Sequence, residues 1–582
     1  MIFTAAFGVA LALLEYFVYF PPDRHFFNGD TIHWFYLRHH TIGDFLLSFI
    51  RLDPAGWYRP LTNRTVQSLF YPWFGMAPAG YRAVHYVLFM SVIFAAYKLA
   101  TVVTRRRMAA VIATVFFGVH TVNAYMTYDV LFTPEVVYTF FYLCAVIAYL
   151  RRRNFASVAF FTASLCSKEA AVTLPIMLIM LEVILNRTQL IQALAAARAH
   201  LAVMAVYVVL VLGYLGVQRP AFQSILKRPG PEVSYRFAAD QTILKNADYA
   251  LTWAFNIPRG WQTQSRQQHG WTITFLKIFR GIIALLGIWM LFQPERPLVI
   301  AGFLWFFIAA APALPLFEHF LPYYLFLPLA GFSIAIGVVV EAAYRKAAAY
   351  NKAVAGSAGA VVFYVLAVIC AVAAQNDARD NRVLGWSSRL AENSMNDLKN
   401  AHPVLQPNTT IYISDAAEPD LAWDTSQGEL FKMAYNDETL HTLYWGWGEV
   451  ITKGALERGP LIVMKYEKFH LTEVTQEFLA ASEPPVSYRA SGEYKLEITP
   501  AAATAGQKYR LSIAGLSNAD VKIHYTLNGG PVHAFAAHLD ENHRAAFDVS
   551  DSTEKGLYKF VGFRLPGSEE DWRQAAASIR ID

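Results

Sequence analysis

Long apolar stretches constrain this chain more than any other feature, and they recur from its first residues to about residue 375 and then stop. A hydrocarbon core of about 30 Å takes roughly 20 helical residues to cross. The stretches therefore predict a membrane all-α domain over residues 1–376, with about 11 transmembrane helices. The predicted spans are approximately 2–20, 84–104, 108–125, 131–150, 154–167, 170–186, 200–217, 272–292, 298–316, 322–342 and 354–374.

Basic residues in the short loops predict the orientation of these spans. They follow even-numbered spans, as at 105–107, 151–153 and 345–346. Short cytoplasmic loops are enriched in Lys and Arg, so these loops and the N-terminus are expected in the cytoplasm. The last predicted span then delivers the rest of the chain to the outside. We therefore expect a multi-pass protein of a bacterial inner membrane with periplasmic C-terminal domains.

The C-terminal third is polar and contains short strand patterns. "TTIYISD" (409–415) and "PLIVMKYE" (460–467) indicate two strands of an extracytoplasmic α/β unit over 377–484. Within 485–582, seven short stretches are separated by turn residues such as Asn528-Gly529-Gly530. Seven strands in about 100 residues are typical of an immunoglobulin-like β-sandwich.

Composition narrows the range of partners. The net charge of +5 is small for 582 residues and gives no reason to expect nucleic acid. The three cysteines all lie in apolar stretches, so neither a disulfide framework nor a thiolate metal site is predicted. The histidines of the first outer loop lack a spacing typical of metal ligands, so no metal site is predicted there.

Several polar residues stand inside or beside the apolar stretches. A charge at the bilayer centre costs roughly 2.5–3.5 kcal/mol, so such groups are usually paired or line a cavity. Lys168 and Glu169 separate two predicted spans at the start of a helix, whose dipole favours anions. Two interpretations stay open: the lysine helps to hold a phosphate, or the two residues form a local ion pair in an interfacial turn. The other candidates are His120, Asp129 and Glu135.

The two long outer loops, about 21–83 and 218–271, hold further candidates. Asp30 lies among histidines and aromatics, where a carboxylate can act as a general base or serve as an ordinary helix cap. Arg59 could pair with a phosphate or anchor the chain at the interface. The second loop is rich in basic residues, among them Arg259 and Arg266. Either it holds an anion, or it is translocated regardless of its charge.

Together, these segments resemble a known family. "YRPL" (58–61), "HTVNAYMTYDVLFTPEVVYTFFYLCAV" (120–146), "SLCSKEAAVTLPIMLIMLEVIL" (164–185) and "PALPLFEHFLPYYLFLPLAGF" (312–332) look like the membrane domain of GT-C glycosyltransferases. The resemblance is greatest to the transmembrane and tetratricopeptide-repeat O-mannosyltransferases and their bacterial relatives.

The resemblance implies an inverting enzyme that moves a sugar from a polyprenyl-phosphate donor to a hydroxyl of a protein, lipid or glycan. The lipid-linked donor is a substrate, and no cofactor is implied. Asp30 matches the family's catalytic acid, although the family usually has two adjacent acids and this chain has Gly29-Asp30-Thr31. Glu135 aligns with a family aspartate but lacks the preceding Gly-Arg pair, and the tetratricopeptide repeats are absent.

The site expected from these residues has three parts. Asp30 is catalytic; Lys168, Arg59, Arg259 and Arg266 bind the donor phosphate; and Glu169, Glu135, Asp129, His120, His319 and Tyr324 support the cavity. The alternative is a non-enzymatic membrane transporter or a scaffold for envelope glycan assembly, since intramembrane charges also mark transport pathways.

Overall fold

The computed structural model describes residues 2–19, 26–51, 57–185, 190–227, 236–257, 270–317, 319–380, 385–414 and 421–582. The chain forms two compact units. The first consists of Met1–His25 and Leu37–Gly385, and the second consists of Phe26–Tyr36 and Trp386–Asp582. The short segment Phe26–Tyr36 thus belongs with the C-terminal part of the chain, although it comes directly after the first predicted span.

The first unit is helical. Its α-helices are Ile2–Tyr19, Ile42–Leu47, Thr65–Phe74, Pro78–Thr104, Arg107–Gly118, Asn123–Tyr128, Thr133–Leu150, Asn154–Leu165, Leu174–Leu185, Leu190–Lys227, Gln241–Ala254, Gly270–Leu291, Arg296–Ala310, Phe326–Tyr350 and Lys352–Asp380. Short 3-10 helices lie at Val130–Phe132, Glu169–Thr173 and Pro322–Leu325. Strands β1 (Arg236–Phe237) and β2 (Leu316–Phe317) pair antiparallel.

Several of these helices fit a membrane. By length and composition, five helical segments of the described chain could cross one, and these are Pro78–Thr104, Val130–Leu150, Ala202–Pro220, Pro322–Tyr350 and Lys352–Ala374. Every predicted span overlaps a helix. The chain is therefore mostly helical in this region with several apolar helices, and the count of 11 crossings stays a prediction.

Small residues let the central helices pack closely. A Cβ added at Gly331 would lie 2.1 Å from the ring of Trp305, and one at Gly337 would lie 2.3 Å from the carbonyl oxygen of Ala109. Close approach through glycine is typical of helices that pack in membranes. The helix that contains both glycines, Phe326–Tyr350, therefore lies at the centre of the first unit.

The third predicted span, 108–125, is wrong at its C-terminal end, because the helix stops at Gly118. Side chains replace the next turn by bonding the free carbonyls of the helix end. Asn123 Nδ2 donates to two of these carbonyls at 2.6 and 2.7 Å. The Tyr19 hydroxyl donates to the carbonyls of Gly118 and His120 at 2.9 and 2.7 Å. These bonds stabilise a break that hydropathy alone does not reveal.

The second unit begins with an α/β layer. Its strands are β3 (Thr410–Ser414), β4 (His441–Tyr444), β5 (Leu461–Glu467) and β6 (His470–Glu473), in the order β4-β3-β5-β6. Strand β3 runs parallel to β4 and β5, and β6 is antiparallel to β5. The α-helices of the unit are Gly29–Tyr36, Ser387–Ala401, Leu421–Asp424, Glu429–Tyr435, Lys453–Arg458 and Thr475–Ala481, with 3-10 helices at Ser426–Gly428 and Trp445–Trp447.

The C-terminal part of the second unit is β-rich. Its strands are β7 (Tyr488–Arg489), β8 (Lys495–Thr499), β9 (Ala502–Ala503), β10 (Lys508–Ala514), β11 (Ala519–Leu527), β12 (Val532–Leu539), β13 (Arg544–Asp548), β14 (Gly556–Arg564) and β15 (Trp572–Ile581). Two sheets form, in the orders β13-β10-β8 and β12-β11-β14-β15-β7. They share one core, in which Leu511, Ile523 and Phe563 are fully buried. All seven predicted stretches are strands, and the last begins earlier than the sequence indicates.

Candidate functional site

Two ion pairs bring four of the expected residues together in the first unit. Lys168 Nζ bonds Glu135 Oε1, and only 6% and 8% of the two side chains are exposed. Arg59 Nε and Nη2 donate to the two carboxylate oxygens of Glu169 at 2.8 and 2.7 Å. Because Lys168 and Glu169 are neighbours in the chain, the pairs form one group. We call these four residues the charge cluster.

The charge cluster excludes the simplest interpretation of the neighbouring charges. Lys168 has extended backbone just before the 3-10 helix Glu169–Thr173. Successive side chains of extended backbone point to opposite sides, so the two side chains reach different partners. These partners lie 33 and 110 residues away in the sequence. The interpretation of a local ion pair between Lys168 and Glu169 is therefore wrong.

Glu135 reaches Lys168 because its helix begins early. The helix Thr133–Leu150 has a proline in its first turn and Glu135 in the same turn. Proline suits the first turn because an N–H at this position would have no partner within the helix. An acid suits the first turn because the helix dipole favours negative charge there. The prediction that the fourth span has already begun at Glu135 is confirmed.

The turn that carries Arg59 is held against the residues that precede Lys168. The Leu61 N–H donates to the Cys166 carbonyl at 3.1 Å. The Thr62 hydroxyl donates to the Ser167 carbonyl at 2.7 Å. These two bonds align the turn with the end of the preceding helix and fix the spacing between the two halves of the charge cluster.

Three tyrosine rings surround the lysine. Lys168 Nζ lies 5.9 Å from the ring centroid of Tyr138, 5.7 Å from that of Tyr323 and 5.4 Å from that of Tyr324. Aromatic faces at about 6 Å attract a cation. The His319 ring is 6.5 Å from that of Tyr324. The structure thus brings the expected Tyr324 to the lysine, and it adds Tyr138 and Tyr323, which sequence reasoning missed.

Two other expected residues make structural bonds. The buried His120 accepts the Val122 N–H at Nδ1, and its Nε2 lies 3.3 Å from the Ala254 carbonyl. Asp129 accepts the Leu131 N–H at 2.9 Å and so caps the 3-10 helix that follows it. Both side chains therefore stabilise the irregular backbone between the helices Arg107–Gly118 and Thr133–Leu150.

Asp30 belongs to the second unit, in the first turn of the helix Gly29–Tyr36. Asn28 Oδ1 caps this helix by accepting the Thr31 N–H at 3.1 Å. The helix starts so close to the 421–424 helix that a Cβ at Gly29 would lie 1.7 Å from the carbonyl oxygen of Trp423. Only glycine fits there. Asp30 itself is partly exposed. Because Asn28 holds the capping position, Asp30 is a first-turn acid and the helix-cap interpretation is wrong, whereas its role as a base stays a prediction.

Polar bonds attach the same helix to distant parts of the second unit. His33 Nδ1 lies 2.8 Å from Glu429 Oε2. The Tyr36 hydroxyl donates to Glu438 Oε2 at 2.5 Å, and this bond is the main reason why the pKa of Tyr36 rises to about 12. The partners are about 400 residues apart in the sequence, and no local pattern indicates such pairs.

Some expected residues cannot be placed. Arg259 and Arg266 lie outside the residues that the structure describes. Within the described ranges, no group of three or more His, Cys, Asp or Glu side chains could hold a metal ion.

Comparisons with known proteins do not assign this chain to a family. No family model matches the chain, and no curated protein matches it. Among solved structures, the crystal structure of ArnT from Cupriavidus metallidurans in the apo state is similar, with a TM-score of 0.45 and 12% sequence identity. The likeness covers 84% of this chain and 95% of that chain. A TM-score at this level establishes neither fold nor function, so the function has to be inferred from the residues of the chain itself.

Proposed function

We propose that this protein is a GT-C-type glycosyltransferase that moves a sugar from a polyprenyl phosphate to an acceptor hydroxyl at the outer face of a bacterial inner membrane. The acceptor is a protein, a lipid or a glycan. The proposal includes 11 spans, periplasmic C-terminal domains and an immunoglobulin-like sandwich over 485–582. The observation that carries it is the charge cluster inside a unit of apolar helices.

The burial of the cluster favours a functional role. Removing a pair of charges from water is expensive, and well-packed apolar residues often stabilise a fold equally well. Ionisable groups inside membrane segments commonly mark substrate sites. The four charges therefore indicate that the site binds a charged or strongly polar substrate rather than that it merely holds helices together.

Phosphate is the substrate group that fits the cations best. An ammonium has three N–H donors, and Glu135 takes one of those on Lys168. A phosphate oxygen can share this ammonium. The Nε and Nη2 side of the Arg59 guanidinium bonds Glu169, so a phosphate is proposed to approach this cation from its Nη1 side. The two glutamates already balance the two cations, so Arg259 and Arg266 are proposed to supply the additional positive charge for an anionic donor.

The proposed reaction is a single displacement. The Asp30 carboxylate takes the proton from the acceptor hydroxyl, and the acceptor oxygen forms a bond to the anomeric carbon. The bond between that carbon and the phosphate oxygen breaks, and its electron pair leaves with the polyprenyl phosphate. The anomeric configuration is inverted. Lys168 and Arg59 stabilise the charge that develops on the leaving phosphate.

A matched pair of variants tests the role of Asp30. Asp30→Asn removes the base but keeps the size of the side chain. Asp44→Asn is the control, because Asp44 also stands in the first turn of a short helix of the same long loop, where Thr41 forms a capping box with it. With purified protein, a polyprenyl-phosphate sugar and an envelope extract as acceptor, Asp30→Asn should abolish transfer and Asp44→Asn should retain it.

Three results of this assay would count against the proposal. Full transfer by Asp30→Asn would remove Asp30 from the reaction. Equal losses in both variants would indicate damage to the loop rather than loss of a base. A wild-type protein that binds the donor without releasing polyprenyl phosphate would favour a transporter or a scaffold.

A further inference from the structure

Among the buried amide side chains with a polar atom that bonds no other described residue, three lie in or bond the segment 58–67, which contains Arg59. These atoms are Asn63 Nδ2, Gln67 Oε1 and Gln218 Oε1. The residues are 7%, 3% and 0% exposed. A buried polar atom without a partner destabilises a protein, and such atoms are rare enough to need an explanation. A ligand that supplies the missing hydrogen bonds is one such explanation.

Two of the three amides lie in or shortly after the turn that carries Arg59, and the third bonds this turn from another helix. The Asn63 N–H donates to the Arg59 carbonyl at 2.9 Å. Asn63 directly follows Thr62, whose hydroxyl bonds the residue before Lys168. Gln67 lies one helical turn further along, in the helix Thr65–Phe74. Asn63 therefore adjoins the charge cluster through the backbone, and Gln67 follows it in the next helix.

Gln218 reaches the same turn from another helix. Its Nε2 donates to the Tyr58 carbonyl at 3.3 Å and to the Tyr214 hydroxyl at 2.8 Å. Both bonds fix the orientation of the amide and leave Oε1 without a described partner. The Tyr58 carbonyl also accepts the Tyr214 hydroxyl at 3.2 Å. A preorganised acceptor thus lies next to Arg59.

Asn246 is a buried amide of the first unit whose bonds hold a loop. In the same unit, Asn246 Nδ2 donates to the carbonyls of Leu314 and Leu316 at 2.8 and 2.9 Å. Both hydrogens of this amide are used to hold a loop. Asn246 is therefore a suitable control for the three amides in and near the Arg59 turn.

We propose that Asn63, Gln67 and Gln218 bind hydroxyl groups of the donor sugar and determine which sugar is transferred. A hydroxyl both donates and accepts hydrogen bonds. It therefore matches one amide donor and two amide acceptors, whereas a phosphate oxygen only accepts and is better bound by cations. The inference rests on the proposed function, because the charge cluster beside the amides is its phosphate site.

The test compares plain polyprenyl phosphate with the same lipid bearing one of three sugars. Binding of plain polyprenyl phosphate and of polyprenyl phosphate bearing mannose, glucose or galactose is measured on the full-length protein in detergent. In the wild type, at least one glycosylated lipid should bind about tenfold more tightly than the plain lipid. Asn63→Leu and Gln67→Met should reduce this ratio towards one and leave the affinity for the plain lipid within about twofold.

Two further variants separate the alternatives. Lys168→Met should weaken binding of the plain and of the glycosylated lipids, because all of them carry the phosphate. Asn246→Leu should lower the melting temperature and leave the ratio between the glycosylated and plain lipids unchanged. Rescue by Asn63→Gln, which restores an amide, would further support a bonding role over a packing role.

Each remaining outcome decides against the inference in a distinct way. If the wild type binds the plain and all three glycosylated lipids equally, the amides bond only water, and the inference fails while the phosphate site stands. If Asn63→Leu and Gln67→Met keep the wild-type ratio, the two amides do not read the sugar. If the wild type binds none of the lipids, the proposed function fails and the inference fails with it.

Discussion

Ion pairs in the two units of this protein differ in how far they are exposed to water. In the first unit, Lys168 and Glu135 are almost completely buried and come from distant parts of the sequence. In the second unit, Lys508 and Asp548 pair across neighbouring strands with 69% and 74% of their side chains exposed. Breaking a buried pair leaves one charge without compensation, whereas water screens both members of an exposed pair. The same contact therefore has very different consequences in the two places.

The largest expected effect is the loss of the buried lysine. Lys168→Met leaves the buried carboxyl of Glu135 without its partner, so we expect the free energy of unfolding to fall by about 3–5 kcal/mol. Removing both charges in Lys168→Met with Glu135→Met should recover most of that loss. Thermal unfolding in detergent measures both. Equal stability of Lys168→Met and the wild type would contradict the structural description of the pair.

A smaller loss is expected where backbones approach closely in the second unit. Gly29→Ala places a methyl group against the Trp423 carbonyl, so the helix Gly29–Tyr36 has to shift, at a cost of about 1–3 kcal/mol. Gly43→Ala is the control, because its Cβ would have an ordinary 3.5 Å contact with Thr41. Hydrogen exchange of residues 26–36 should accelerate in Gly29→Ala only. Unchanged protection would show that the helix does not need this contact.

The effect of the partly buried pair of Arg59 and Glu169, with 17% and 22% of the side chains exposed, should fall between those of the buried and the exposed pairs. Arg59→Met leaves Glu169 partly solvated, and we expect a loss of about 1–2 kcal/mol together with weaker binding of polyprenyl phosphate. Arg152→Met is the control, because Arg152 pairs with Glu182 at 3.0 Å with half of its side chain exposed. If the Arg152 variant weakens lipid binding as much as the Arg59 variant, Arg59 has no special role in the phosphate site.

Acid should destabilise the second unit through one histidine. Burial lowers the pKa of His524 from 6.5 to about 4, so the unfolded chain binds a proton between these values that the folded chain does not. The stability from neutral His524 is therefore complete above pH 6.5 and decreases as the pH falls towards 4. Hydrogen exchange of β11 in the full-length protein should show this dependence. The His524 ring stacks on Trp572 with centroids 3.7 Å apart, and His524→Phe, which keeps an aromatic ring there, should flatten the dependence. The same pH dependence in both proteins would assign it to other groups.

The smallest effect is expected for the exposed pair. Lys508→Ala should change the free energy of unfolding by less than about 1 kcal/mol, and high salt should reduce the difference further. Hydrogen exchange of β10 and β13 measures this change. A loss as large as that of Lys168→Met would contradict the comparison between the two units.

Hydropathy predicts the apolar helices of the first unit and seven strands within 485–582, because each of these elements carries its own pattern. Short elements such as the helix Gly29–Tyr36 are not predicted. Apolar stretches of spanning length predict the helices, and alternation predicts strands such as β10 and β14. The end of the helix Arg107–Gly118, within the third predicted span, is missed, because the bonds from Asn123 and Tyr19 that stabilise it are tertiary. Periodicity indicates which face of an element is apolar. It does not indicate which distant side chain will form hydrogen bonds with the last carbonyls of a helix.

The sequence predicts which residues form the candidate site, but it does not predict which of these residues contact each other. Lys168, Glu135, Arg59 and Glu169 are recognisable because charges are costly in apolar surroundings. Their pairing is not recognisable, since it depends on which helices are neighbours. The place of Asp30 in the second unit is hidden for the same reason, because Gly29 and His33 meet partners about 400 residues away in the sequence.

The most direct test of the account is release of polyprenyl phosphate from a polyprenyl-phosphate sugar, followed by mass spectrometry with envelope extract as acceptor. The wild type should release the lipid phosphate and label an acceptor. The double variant Lys168→Met with Glu135→Met should remain folded and release none. Release by the double variant at the wild-type rate would show that the charge cluster is only a structural ion pair and that the donor phosphate is bound elsewhere.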